Sequence, residues 1–205
     1  QKMDKLFASK ENLADLEEQF SFSNRILGER ISMKGSGRVI TSTHQERSNQ
    51  YGHRVYRGAI DIADDGQFAL IPPGVNQTIF STKRTEQDLI IRDRIKDARK
   101  RDLPRRRLKL PLVLISSRLD PKKNLIGVVK AFAQNQELRM KANLAIAVRT
   151  LDDPLHEYDK LTSNEKVVMD EIVSLINKAD LWEVVTAFPL NSQYELAAAY
   201  RVLSK

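Results

Sequence analysis

The sequence contains no cysteine among its 205 residues. This absence excludes disulfide bonds, thiolate metal sites and a cysteine nucleophile. It agrees with a reducing compartment, so we expect a cytoplasmic protein. Long apolar runs are also missing, since none approaches the roughly 20 residues that a membrane-spanning helix requires. We therefore expect no membrane span.

Histidine is scarce, with only His44, His53 and His156 in the chain. Ligands that share a metal ion commonly recur within a few residues of one another, and these three histidines do not show such a spacing. The sequence therefore predicts no metal site.

Positive charge is in excess, with a formal net charge of +7 at pH 7. Much of it lies in residues 92–109, called the basic run below. Nucleic acid, an anionic membrane surface and phosphorylated small molecules all match this sign of charge. One interpretation of the basic run is an exposed helix and linker; the alternative is a nucleic-acid-binding module. No interleaved aromatic residues and no helix-turn-helix or zinc-finger pattern support the alternative, so we expect no nucleic-acid partner.

Apolar periodicity divides the chain into alternating helices and strands. Gly35 and Gly37 stop the first helix, and Pro72 stops the second strand. Up to residue 109, the predicted elements are helices at 12–35, 44–51 and 85–102 and strands at 38–43 and from 68. From residue 110 onward, strands at 110–117, 142–149 and 183–189 alternate with helices at 124–134, 163–179 and 192–203.

The strands after residue 110 are apolar throughout, which is typical of strands buried on both faces. Their alternation with helices predicts an α/β fold with a doubly wound parallel sheet and helices on both sides. Residues 110–205 therefore read as a βαβαβα unit, and residues 1–75 as the end of another α/β unit.

The stretch LVLISSRLDPKKN (112–124) places cations just beyond a predicted strand. Ligands of open parallel sheets bind outside the carboxyl ends of the strands, where the following helix also presents its positive dipole end. Arg118 offers a planar fork to phosphate oxygens and Lys123 a point charge, so the pair can hold a diphosphate. The alternative is a surface turn in which Asp120 neutralises its neighbours.

Several stretches resemble one family of enzymes. SSRLDPKKN followed by GVVKAFAQNQELRMKANLAI is similar to the donor-domain signature of retaining GT-B (family 4) glycosyltransferases, and more narrowly to their sucrose-phosphate synthase branch. The stretches that extend the resemblance along the chain are NRILGER, VITSTHQERSNQYG, FALIPPGVNQTIF and FPLNSQYELAAAY.

The resemblance implies a GT-B fold with parts of two Rossmann-like domains. Residues 1–75 would be the C-terminal part of the acceptor-binding domain. Residues 76–109 would form the interdomain crossing with the basic helix or linker. Residues 110–205 would be the N-terminal part of the nucleotide-sugar donor-binding domain.

The resemblance also implies the residues of the donor site. Arg118 and Lys123 would be catalytic, because they would hold the donor diphosphate and stabilise the charge on the departing nucleoside diphosphate. Pro189 and Leu190 would border the base, which the main chain of Leu190 would read. Arg149 would line the same cleft.

On the acceptor side, the resemblance implies that Lys2 and Arg25 bind the phosphate of a sugar phosphate. The reaction would transfer glucose from UDP-glucose to fructose 6-phosphate with retention, giving sucrose 6-phosphate. The substrates would be small molecules, with no cofactor and no metal, because basic residues would replace a divalent cation at the diphosphate.

Three alternatives stay open at this point. The donor could be GDP-mannose, giving mannosylfructose phosphate, or another sugar nucleotide. The chain could be an inactive protein that kept the fold. The family's catalytic histidine, glycine-rich loop and glutamate pair have no counterpart here, so we expect an internal fragment, completed by the rest of the same polypeptide and inactive alone in a transfer assay.

Overall fold

A computed structural model describes residues 17–18 and 21–204. The chain divides into two compact units, which are residues 1–75 and 76–205. The first unit contains helix α1 (Phe22–Gly35) and the parallel strands β1 (Val39–Thr41) and β2 (Phe68–Leu70). A π-helical turn (Glu46–Tyr51) and a 3₁₀ turn (Arg54–Tyr56) connect the two strands.

The small core of the first unit forms around Phe68 of β2, which is buried together with Tyr56 and Ala59. The guanidinium of Arg47 lies 4.6 Å from the centre of the Phe68 ring. Arg47 also donates to the carbonyl of Ile62, at 2.8 Å. One arginine of the π-helical turn therefore covers the end of the core and fixes the following loop.

The second unit is larger and alternates strands with helices. Its helices are α2 (Glu86–Asp102), α3 (Leu125–Gln134), α4 (Gln136–Lys141), α5 (Ser163–Lys178) and α6 (Gln193–Leu203). Its strands are β3 (Leu112–Ser116), β4 (Asn143–Val148) and β5 (Val185–Pro189), and its 3₁₀ turns are Arg105–Arg107, Pro121–Lys123 and Tyr158–Lys160.

The three strands of the second unit form one parallel sheet in the order β3-β4-β5. Ser116 pairs with Ala147, and Val148 pairs with Pro189, so the three strands end almost level with one another. All six residues of the central strand β4 are buried. This burial explains why β4 is apolar along nearly its whole length.

Side chains of β4 alternate between two cores. Leu144 and Ile146 pack with residues of α3 and α5 on one face of the sheet. Ala145 and Ala147 pack with residues of α2 and α6 on the other face. The small side chains on the second face leave room for these helices, which also contact each other closely. The unit therefore has three layers, with helices on both sides of the sheet.

Local chemistry explains how two helices begin, one of which differs from the predicted elements. Helix α4 was not predicted; it begins because the Asn135 side chain accepts a hydrogen bond from the backbone N–H of Leu138, at 2.9 Å. Helix α5 begins at Ser163 after the N-cap residue Thr162, whose hydroxyl donates to the Glu165 carboxylate at 2.7 Å. Among the described helices, none is both long and apolar enough to cross a bilayer.

Candidate functional site

The carboxyl ends of β3, β4 and β5 lie along one edge of the sheet, because the strands are parallel and in register. Arg118 follows β3, Arg149 follows β4, and Leu190 follows β5. The structure therefore brings predicted donor-site residues from all three strands to the same edge, where open α/β sheets bind their ligands.

The turn after β3 is held by its own backbone. The carbonyl of Arg118 accepts from the N–H of Asp120, and the carbonyl of Asp120 accepts from the N–H of Lys123, both at 2.8 Å. The Asp120 carboxylate accepts from the backbone N–H of Lys122 at 2.9 Å. Asp120 thus caps the 3₁₀ turn, and within the described residues it forms no ion pair with Arg118 or Lys123.

The cations at this edge stay available to a ligand. Arg118, Lys123 and Arg149 are exposed, and among residues 21–204 their side chains have no hydrogen-bond or ion-pair partner. Thr150, directly after Arg149, has a positive φ of 72°. A non-glycine residue with a positive φ has a strained backbone, and such residues cluster at functional sites.

Pro189 and Leu190 are buried, unlike the cations. The Leu190 side chain packs into the core with Ile91 and Ile95 of α2. Its backbone N–H donates to the carbonyl of Val148 at 3.3 Å. Within the described chain, no group donates to the Leu190 carbonyl. The Leu190 carbonyl is therefore a backbone acceptor without a partner among the described residues.

Many arginines of the basic run have structural partners, in contrast to Arg118. Arg99 donates to the carbonyls of Leu108 and Leu110, the latter at 2.7 Å. Arg107 donates to the carbonyls of Arg139 and Ala142, both at 2.6 Å. These arginines hold together the segment that leads into β3, and the sequence pattern alone did not reveal this role.

The same run covers the outer edge of β5. Arg101 donates to the carbonyl of Ala187 at 2.7 Å, and the buried Asp102 carboxylate accepts from the N–H of Ala187 at 3.1 Å and from the hydroxyl of Thr186 at 2.8 Å. Arg94 donates to the carbonyl of Pro189 at 3.0 Å. An uncovered strand edge exposes unpaired main-chain groups, and α2 satisfies them here.

The predicted acceptor-site residues belong to the first unit. Lys2 lies outside the described residues. Arg25 is exposed on α1, and among the described residues its side chain has no partner. Nearby on the same helix, Glu29 accepts a hydrogen bond from the Tyr56 hydroxyl. Burial, together with this hydrogen bond, raises the pKa of Tyr56.

Metal ligands are not clustered in the part of the chain that the structure describes. No group of three or more histidine and acidic residues there could hold a metal ion. His156 stacks on Trp182 at 5.6 Å between ring centres, and its Nδ1 lies 3.0 Å from the Asp153 carboxylate. These contacts give His156 a local structural role.

Comparison with known proteins gives a consistent set of relatives. A probable sucrose-phosphate synthase of Thermosipho melanesiensis is 31% identical over 203 residues, which is 95% of this chain and 42% of that protein. A probable sucrose-phosphate synthase 1 of Oryza sativa subsp. indica is 30% identical over 93% of this chain and 20% of its own length. No family model matches. The chain thus spans less than half the length of these curated relatives.

A solved structure shares the fold. The sucrose-phosphate synthase of Thermosynechococcus elongatus matches with a TM-score of 0.52 and 23% identity, over 88% of this chain and 36% of the other. Together with the parallel sheets, this match confirms the predicted α/β fold of GT-B type. The predicted resemblance of this chain to the sucrose-phosphate synthase branch of the glycosyltransferases is confirmed over most of its length.

Proposed function

We propose that the second unit forms the donor-binding part of a retaining glycosyltransferase that transfers glucose from UDP-glucose to fructose 6-phosphate, giving sucrose 6-phosphate. One observation carries this proposal: at the edge where three parallel strands end, the side chains of Arg118, Lys123 and Arg149 are exposed and have no partner among the described residues. The names of the relatives support the same reaction class.

The chemistry of the transfer explains why cations belong at this edge. When the bond between the anomeric carbon and the diphosphate breaks, its electron pair stays on the diphosphate, whose negative charge increases. Arg118 and Lys123 would stabilise that charge most strongly in the transition state, which is how fixed positive groups accelerate such reactions. We expect them to act without a divalent cation, so that EDTA leaves nucleotide binding unchanged.

Residues at the end of β5 would bind the base. The Leu190 carbonyl can accept a hydrogen bond from an N–H group of the base, while the buried Leu190 side chain keeps the backbone in place. On the acceptor side, we propose that Lys2 and Arg25 bind the sugar phosphate. The exposed position of Arg25 on α1 is compatible with that role.

Calorimetric titration of the chain with UDP tests the donor site. The binding step is the appropriate measurement, because the chain covers only part of the length of its relatives. We expect Arg118→Gln to weaken UDP binding about tenfold or more, the effect of losing a charge-assisted contact with phosphate. Lys130→Met is the matched control, because Lys130 is an exposed cation on α3 away from the strand ends.

Equal affinity of wild type and Arg118→Gln for UDP would contradict the proposed site. A parallel titration with GDP separates the two donors, since tighter binding of GDP than of UDP would favour GDP-mannose and a mannosylfructose phosphate product.

A further inference from the structure

The loop after β5 is tied down on both sides of Leu190. Before Leu190, the carbonyl of Pro189 accepts from the guanidinium of Arg94 at 3.0 Å. After Leu190, the N–H of Asn191 donates to the Glu195 carboxylate at 2.7 Å. The Asn191 side chain accepts from the N–H of Thr150 at 2.8 Å. Each neighbour of Leu190 therefore has a fixed partner outside the loop.

One carboxylate oxygen joins these contacts. Oε2 of Glu195 accepts both the Asn191 N–H and Nη1 of Arg94, the latter at 2.8 Å. The Arg94 and Glu195 side chains are only 27% and 15% exposed, so solvent weakens this pair less than an exposed pair. The same guanidinium nitrogen bonds Pro189 and Glu195, so Arg94 connects the chain on both sides of Leu190.

The capping of helix α6 supports the same arrangement. Ser192 is the N-cap residue, and its hydroxyl accepts from the N–H of Glu195 at 3.2 Å. In a common capping box the glutamate returns to the N–H of the N-cap residue itself. Here Glu195 reaches one residue further, to Asn191, and so extends the rigid start of α6 to the residue next to Leu190.

From this geometry we infer that Arg94 is a positioning residue for base recognition. The inference rests on the proposed function, in which the Leu190 carbonyl accepts a hydrogen bond from the base of the nucleotide sugar. Arg94 does not touch the donor; it fixes the direction of that carbonyl by holding Pro189 directly and Asn191 through Glu195. A carbonyl that is already held in the binding orientation forms its hydrogen bond to a ligand more favourably than one that must be ordered on binding.

The test compares two probes on the whole chain, UDP and inorganic pyrophosphate. Pyrophosphate reports only on the cations at the strand ends, whereas UDP also needs the base contact. We expect Arg94→Gln to weaken UDP binding about tenfold and to leave pyrophosphate binding unchanged, because a charge-assisted hydrogen bond is lost at the base side alone. Arg92→Gln is the matched control; Arg92 is exposed on the same helix, and among the described residues its side chain forms an ion pair with its neighbour Asp93 alone.

The conservative variant Arg94→Lys keeps the charge beside Glu195 and should recover part of the UDP affinity. Both variants are checked for folding by circular dichroism. Equal losses for the two probes in either folded variant overturn the positioning role, and so does an unchanged UDP affinity in folded Arg94→Gln. Failure of the wild-type chain to bind either probe contradicts the proposed function instead, and thereby removes the basis of the inference. Selective loss of UDP binding in Arg94→Gln supports both the proposed function and the positioning role of Arg94.

Discussion

At the scale of single residues, several hydrogen bonds support the ion pair between Asp88 and Arg201. Nη2 and Nε of Arg201 lie 2.7 and 3.0 Å from Oδ1 of Asp88, and the Thr85 hydroxyl donates to the same oxygen at 3.1 Å. Both charged side chains are nearly buried, at 11% and 12% exposure. Arg201 of α6 thus fixes the first turn of α2.

This pair predicts how stability depends on pH. The hydrogen bonds from Arg201, followed by those from Thr85, lower the pKa of Asp88 in the folded state although burial opposes the shift. A carboxyl whose pKa falls on folding stabilises the protein above its unfolded pKa, which is about 3.9. We therefore expect Asp88→Asn to destabilise the chain at pH 6, with a difference from wild type that shrinks as the pH falls below about 4.

Urea denaturation from pH 6 to pH 3 measures this difference. Asp93→Asn serves as the control, because Asp93 is 60% exposed and, in the part of the chain that the structure describes, its side chain pairs only with the adjacent Arg92. A difference between wild type and Asp88→Asn that stays constant over the whole range contradicts the assigned coupling between Asp88 and Arg201.

Residue identity alone could not show which cations are free. Arg118 and Arg99 are both arginines in a basic sequence context, yet Arg99 is bonded to two carbonyls and Arg118 is not. The difference depends on where the chain folds back, which a local pattern does not encode. The position of Arg118 after an apolar strand was the usable signal, because strand ends of parallel sheets meet at one edge.

At the scale of elements, the positions of strands and helices were largely predictable and their partners were not. The predicted helix 85–102 corresponds closely to α2, because Thr85 precedes it and Pro104 follows it shortly after its end. The role of α2 along the edge of β5 depends on contacts between residues more than 80 positions apart, such as Arg101 with Ala187. No periodicity within the helix reports such a contact.

The start of α3 offers a test of local packing. Asn124 precedes the helix with φ of 52° and ψ of 39°, the left-handed conformation that glycine adopts without strain. A Cβ added at Gly127 would lie 2.5 Å from Oδ1 of Asn124. The two residues therefore share one small space, and substitutions at them should not be additive.

We expect Gly127→Ala to stabilise the chain by about 1 kcal/mol more in an Asn124→Gly background than in wild type, since alanine favours the helix once the amide is gone. Urea denaturation of the wild type, both single variants and the double variant gives the coupling energy. Additive effects of the two substitutions would show that the Asn124 side chain moves aside freely.

At the scale of the whole molecule, the second unit has what an independent domain needs. Its sheet has a core on each face, and the proposed donor site, from Arg118 to Leu190, lies entirely within it. Residues 76–205 are also of a size that ordinarily supports a single stable domain. The first unit, by contrast, has few buried apolar residues among those described.

We therefore predict that residues 76–205 fold alone, with one cooperative thermal transition and an unchanged affinity for UDP. Within this shorter chain, Ile172→Ala should destabilise by about 2–5 kcal/mol, because Ile172 is fully buried. Val167→Ala, on the same helix but 56% exposed, should have little effect. Calorimetry and denaturant titration of these variants distinguish a specifically packed core from a compact state without specific packing. A broad transition, or equal responses to the two substitutions, would mean that residues 1–75 are needed to complete the fold.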